Sequence, residues 1–230
     1  MDASEVLWTS LTVATCCVLG SAAPAIACGW YLARHNFPGK TLLSAITLSP
    51  LVLPPVVTGY LLLELLGRRS VIGGFFSETL GIPLSFSQPA AILAAAVVSF
   101  PLFVATARVA FEGVDERLEE MARVHGASGA RIFREITLPL ALPGVLAGGL
   151  LVFARALGEF GATAVVAGNI PGETRTIAIA IYTLLEDPNG DGTVALLTGI
   201  SLGISLIAIS GYEALLRRQR KRSEVGARPC

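Results

Sequence analysis

Arg155 and Glu159 are the charged residues whose spacing matters most, because they stand four apart in otherwise apolar sequence. On a helix that spacing puts both on one face, where they can form an ion pair. Other reactive side chains offer less. Cys16, Cys17 and Cys28 share one apolar stretch and Cys230 ends the chain. No pair of them has metal-ligand or redox spacing, so they read as small apolar fillers. His35 and His125 stand without companion ligands and read as solvated histidines. The string Gly39-Lys40-Thr41 looks like the end of a phosphate-binding loop. That loop needs a glycine five residues before Gly39, and Arg34 stands there instead. No nucleophile–base arrangement and no metal cluster is legible. The chain therefore encodes no ATP site and reads as non-catalytic, with no metal or cofactor of its own.

The elements that carry these residues belong in a membrane. The chain is 53% hydrophobic and only 15% charged, and its mean hydropathy is +0.68. A soluble domain of this size needs more charge to cover its surface. A span needs about 20 apolar residues, and five segments qualify: 6–33, 41–63, 89–107, 136–157 and 193–216. Lipid excludes open sheets, so the fold class is an all-α membrane bundle of about five transmembrane helices, forming one domain over 1–230. No basic region precedes the first apolar stretch, so no cleavable signal peptide is read.

Lys and Arg set the orientation. With the N-terminus outside, inner segments hold Arg34, Lys40, Arg117, Arg123, Arg131 and Arg134, and the inner tail holds Arg217, Arg218, Arg220, Lys221, Arg222 and Arg228. Only Arg68, Arg69 and Arg175 face outward. The stretch 160–185 is also apolar but carries turn signals at Gly168-Asn169 and Pro171-Gly172. A full crossing there would put the basic tail outside, so a short or re-entrant segment is the better reading. Pro24, Pro50, Pro54-Pro55, Pro101 and Pro143 lie within spans. Proline removes a ladder donor and clashes one turn back, so 41–63 is predicted to be broken in its middle.

The cytoplasmic loop at about 112–139 reads EGVDERLEEMARVHGASGARIFREITLP. It predicts a helix rich in Glu and Arg, a glycine break at Gly126, and a second amphipathic stretch ending at Pro139. Ile132, Phe133 and Ile136 give that stretch an apolar stripe at helical spacing, suited to docking in a partner's groove. A solvated loop with a charged face is the plainer alternative.

This loop resembles the coupling loop of ABC importer permeases, whose pattern is Glu-Ala-Ala, three residues, Gly, nine residues, Ile, any residue, Leu-Pro. Glu120, Ala122, Gly126, Ile136, Leu138 and Pro139 fall on that spacing, with Met121 in place of the first Ala. The resemblance implies that these residues, with Ala127, seat in a cytoplasmic ATPase subunit. It extends over nearly the whole chain. FPGKTLL, SPLVLPPVVTGYLLL, ARALGEFGAT and NIPGETRTI look like the molybdate branch of the family, and ARALGEFGA is shared with sulfate permeases.

A multi-pass permease of the bacterial cytoplasmic membrane is thereby implied. It would pair with a second copy of itself, two ATPase subunits using ATP and Mg, and an extracytoplasmic molybdate-binding protein. It would sit in lipid and bind no nucleic acid. Tungstate is not separated from molybdate, and a sulfate or thiosulfate permease is an alternative. A secondary transporter driven by an ion gradient is a further one, with Glu159 its only candidate carboxylate within a span. In this setting Arg155 either faces the oxyanion path or its gate, or braces the helix through Glu159. The bracing role is preferred, because a permanent cation site would slow release of a dianion. Ser49, Thr58, Ser99 and Thr163 offer neutral donors to an anion in transit, although isolated Ser and Thr in spans more often bond their own backbone.

Overall fold

A computed structural model describes residues 2–79, 81, 83–187 and 190–226. Arg228 and Cys230 lie outside the described residues. All regular structure among the described residues is helical. Helix α1 spans Ala3–Arg34, α2 Lys40–Val52, α3 Pro55–Leu66, α4 Val71–Thr79 and α5 Gln88–Glu112. The loop region holds α6, Glu116–Val124, and α7, Gly129–Ile132; a π-turn, Phe133–Thr137, then leads into α8, Leu138–Leu157. Short helices α9, Gly161–Val166, and α10, Ile177–Leu184, precede the long α11, Asp191–Gly226.

Four of these segments are long and apolar enough to cross a bilayer: Ala3–Arg34, Gln88–Glu112, Gly129–Leu157 and Asp191–Arg217. The fifth expected span is the pair α2 and α3, bent by 108° at their junction. The break falls where sequence placed it, and only there. Pro24, Pro50, Pro101 and Pro143 each sit inside an unbroken helix, since one missing donor can be absorbed by its neighbours. Pro54-Pro55 differs because two successive prolines each push the preceding residue out of the helical region. Leu53 (ψ 140°) and Pro54 (ψ 132°) are both extended as a result.

Helix α5 is the centre of the bundle, packed between α1 and α8, with α2 and α9 also against it. Its buried face is mostly small, with Ala90, Ala91, Ala94, Ala95, Val98, Val104 and Ala107, and carries Phe103 and Phe111 in its C-terminal half. Small side chains let helix backbones approach where no hydrophobic drive from water operates. Among the four long apolar segments α5 is the most buried and α11 the least, so α11 is peripheral and packs mainly on α8. The stretch 160–185 forms no full span. Its helices α9 and α10 are short, and α9 lies buried against α3, where a Cβ on Gly59 would come within 2.8 Å of the Ala162 backbone.

Candidate functional site: the coupling loop and its anchors

Helix α6 is built from local rules. Asp115 is its N-cap, and its carboxylate accepts the Arg117 N–H at 3.0 Å. Glu116 and Glu119 occupy the first turn and Arg123 the last, each of the sign that favours its end of the helix dipole. At the C-terminus the Gly126 N–H donates to the Arg123 carbonyl (3.0 Å) and the Ala127 N–H to the Ala122 carbonyl (3.0 Å). This double closure is the Schellman motif, and it needs a left-handed conformation at the first of the two donor residues. Gly126 supplies it at φ 82°. A Cβ there would meet nothing within 4 Å, so the requirement for glycine is one of backbone conformation rather than of space.

The helix is tied to the bundle by a buried carboxylate. Arg34, the last residue of α1, donates to Glu119 Oε1 from Nε at 3.1 Å and from Nη2 at 2.9 Å. The same guanidinium reaches Glu116 at 3.2 Å and the Val114 carbonyl at 2.9 Å. From the other side, the Thr137 hydroxyl donates to Glu119 Oε1 at 2.8 Å. The side chains of Arg34 and Glu119 are 9% and 11% exposed, and Thr137 is buried. A charge removed from water this far persists only when paired and hydrogen-bonded. Three separate elements therefore converge on one oxygen atom: the end of α1, helix α6, and the turn that starts α8. Aromatic packing closes the same junction, with Trp30 and Phe133 edge-to-face at 5.1 Å and Phe111 beside Phe133 at 6.2 Å.

Pro139 explains the turn beneath. It cannot donate to the carbonyl four residues back and its ring crowds that carbonyl. The chain widens into a π-turn over Phe133–Thr137, and the Leu138 N–H reaches the Phe133 carbonyl, five residues back. Such turns are rare and recur at functional positions.

The residues read from the motif take different places. Glu120 is exposed, Ala122 and Ala127 are half-buried, and Gly126 is exposed at the turn. Ile136 and Leu138 are half-buried, Leu138 against the main core, and Pro139 is exposed. The expected docking stripe is corrected by the structure. Ile132 is buried and Phe133 packs on Trp30 and Phe111, because this stretch runs straight into a transmembrane helix and its apolar side follows the bundle. The apolar side chains left open belong to α6: Leu118, Met121 and, at 86% exposure, Val124. Glu119, Arg34 and Thr137 were missed as a group. Arg34 read as a membrane anchor and Glu119 as one acid among several, since separations of 85 and 18 residues leave no local signal.

At the far end of α8, Arg155 Nη1 meets Glu159 Oε2 at 2.7 Å, and Glu159 Oε1 accepts the Ala162 N–H at 3.0 Å. Glu159, just past the end of α8, is thus committed through both oxygens, once back to α8 and once to the start of α9. The Arg155 side chain remains 34% exposed. Ser49 bonds the Ile46 carbonyl at 2.8 Å, as isolated serines in helices do. Thr58 and Thr163 do not: both are buried and their hydroxyls have no hydrogen-bond partner among the described residues. Ser99 is fully buried on α5.

The described residues thus form a bundle of apolar helices with one broken span, and a capped amphipathic helix is fastened to one end of it. Residues 25–221 match the family of binding-protein-dependent transport system inner membrane components, and the chain belongs to that family. It is 50% identical over 214 residues to the molybdenum transport system permease protein ModB of Escherichia coli strain K12, covering 93% of each chain. It is 46% identical over 213 residues to the protein of the same name from Haemophilus influenzae, again 93% of each. Among solved structures, the inward-facing MetNI methionine ABC transporter superposes with a TM-score of 0.72, covering 95% of this chain and 99% of that one. At 17% identity that likeness concerns the fold.

Proposed function

We propose that this chain is the membrane-spanning subunit of an ATP-driven importer of molybdate. The observation that carries the reading is the coupling loop, an exposed apolar and charged helix held rigidly at one end of a permease bundle. Leu118, Met121, Val124 and Glu120 face away from the chain's own core and suit an amphipathic groove on a cytoplasmic ATPase. The 50% identity with a molybdenum permease over 93% of the chain supports molybdate rather than sulfate as cargo.

In this reading two copies of the chain pair in the bacterial cytoplasmic membrane, with N-termini outside and C-termini inside. Two ATPase subunits bind below and use ATP and Mg, and a molybdate-loaded binding protein docks above. This chain holds no cofactor. Nucleotide closure displaces α6, and the bundle opens alternately to each side. Glu120, Ala122, Gly126, Ala127, Ile136, Leu138 and Pro139 form or shape the ATPase seat. Thr58, Thr163 and Ser99 supply neutral donors along the path, Ser49 being bonded to its own helix, while Arg155 and Glu159 brace α8 against α9. Purification of the tagged permease from native membranes tests the assembly. An ATPase subunit in equal amount is expected, whereas a permease that transports without any ATPase points to an ion-gradient mechanism.

A further inference from the structure

Helix α6 packs on α7 and the π-turn, its own continuation along the chain. Its link to α1 runs through Arg34, which reaches Glu116, Glu119 and the Val114 carbonyl. Its direct link to the start of α8 is the Thr137 hydroxyl on Glu119. Between α6 and α7 the covalent connection passes through Gly126, where the chain turns with a positive φ of 82° and nothing lies close by. A helix joined to its neighbour by such a turn can pivot, and force on it would be spent in rotation. Glu119 closes that freedom.

We propose that Glu119 is the positioning residue that makes α6, the end of α1 and the start of α8 a single lever, so that displacement by the ATPase reaches two transmembrane helices at once. Glu119 is 8% exposed and Thr137 1% exposed, so neither belongs to the docking face. Their role lies in transmission rather than in binding the ATPase. Coupling between sites requires an element that both sites bias, and the carboxylate defines it here. The inference rests on the importer reading above.

The test uses the full complex in lipid vesicles with its ATPase and molybdate-loaded binding protein. Thr137→Val removes one hydrogen bond and keeps the shape; Thr137→Ser restores the hydroxyl; Glu119→Gln removes the charge. Three quantities are measured: ATPase bound per permease, ATP hydrolysed, and molybdate moved per ATP. In Thr137→Val the ATPase stays bound and active, while molybdate per ATP falls about fivefold or more, the lower end of usual coupling between linked sites. Glu119→Gln falls further, and Thr137→Ser returns to the wild-type ratio. A wild-type ratio in both Thr137→Val and Glu119→Gln overturns the proposal. So does loss of ATPase binding in step with uptake, which would make the contact merely structural. Absence of ATP-driven uptake by the wild-type complex would instead contradict the importer reading itself.

Discussion

Arg34 and Glu119 lie 85 residues apart in sequence and 2.9 Å apart in space, both side chains close to nine-tenths buried. Removing one partner of a buried pair leaves the other uncompensated, which typically costs about 3–5 kcal/mol, whereas replacing both with apolar groups is often close to neutral. Arg34→Met alone should therefore lower the thermal midpoint of the detergent-solubilised protein clearly. The double variant Arg34→Met, Glu119→Leu should recover most of that loss. Strictly additive losses would mean the two side chains are not energetically coupled.

Gly126 offers a cleaner test of backbone conformation. Left-handed backbone costs a side-chain-bearing residue about 1–2 kcal/mol, with Asn the best tolerated. Gly126→Val should weaken binding-protein-stimulated ATP hydrolysis strongly, while Gly126→Asn keeps most of it, since no atom crowds the position. Equal damage from both would indicate that space, not conformation, is what glycine provides.

Arg155 and Glu159 should behave unequally. Glu159 also receives the Ala162 N–H, so Glu159→Ala loses two interactions and Arg155→Ala one. Contacting pairs couple by about 0.5–3 kcal/mol in double-mutant cycles. Glu159→Ala is expected to destabilise more, and the double variant to be little worse than it. If Arg155→Ala abolishes uptake in a stably assembled complex and the double variant is no better, Arg155 belongs to the anion path.

Among the described residues the buried hydroxyls of Thr58 and Thr163 have no partner, an arrangement that typically costs about 1–3 kcal/mol each. Replacement by Val preserves shape and removes that penalty. Thermal stability should hold or rise, and uptake should slow if an anion uses these donors in passing. Unchanged uptake in both variants would remove them from the path.

The spans, the break at Pro54-Pro55 and the glycine turn at Gly126 were legible because each has a local cause: a run of apolar residues, two adjacent rings, one missing Cβ. The short pair α9 and α10 was legible too, as turn signals inside apolar sequence. The Arg34–Glu119–Thr137 junction was not, since no local pattern separates a buried Glu119 from an exposed Glu120. The apolar stripe of Ile132 and Phe133 was read correctly as amphipathic but assigned the wrong face. Periodicity states that a helix has an apolar side; only packing states whether its own bundle or a partner covers it.

Orientation has its own probe. With Cys16, Cys17 and Cys28 changed to Ser, Cys230 is the remaining thiol. A membrane-impermeant thiol reagent applied to cells with a permeabilised outer membrane should leave Cys230 unlabelled until the inner membrane is opened. Labelling in intact cells would place the C-terminus outside and the coupling helix with it.

Uptake of labelled molybdate into vesicles holding the purified permease and its ATPase tests the central claim most directly. ATP is enclosed inside and loaded binding protein is supplied outside. Uptake should require both ATP and the binding protein, yield to tungstate, and persist under excess sulfate. Molybdate accumulation without ATP, or sulfate carried in its place, would contradict the assignment.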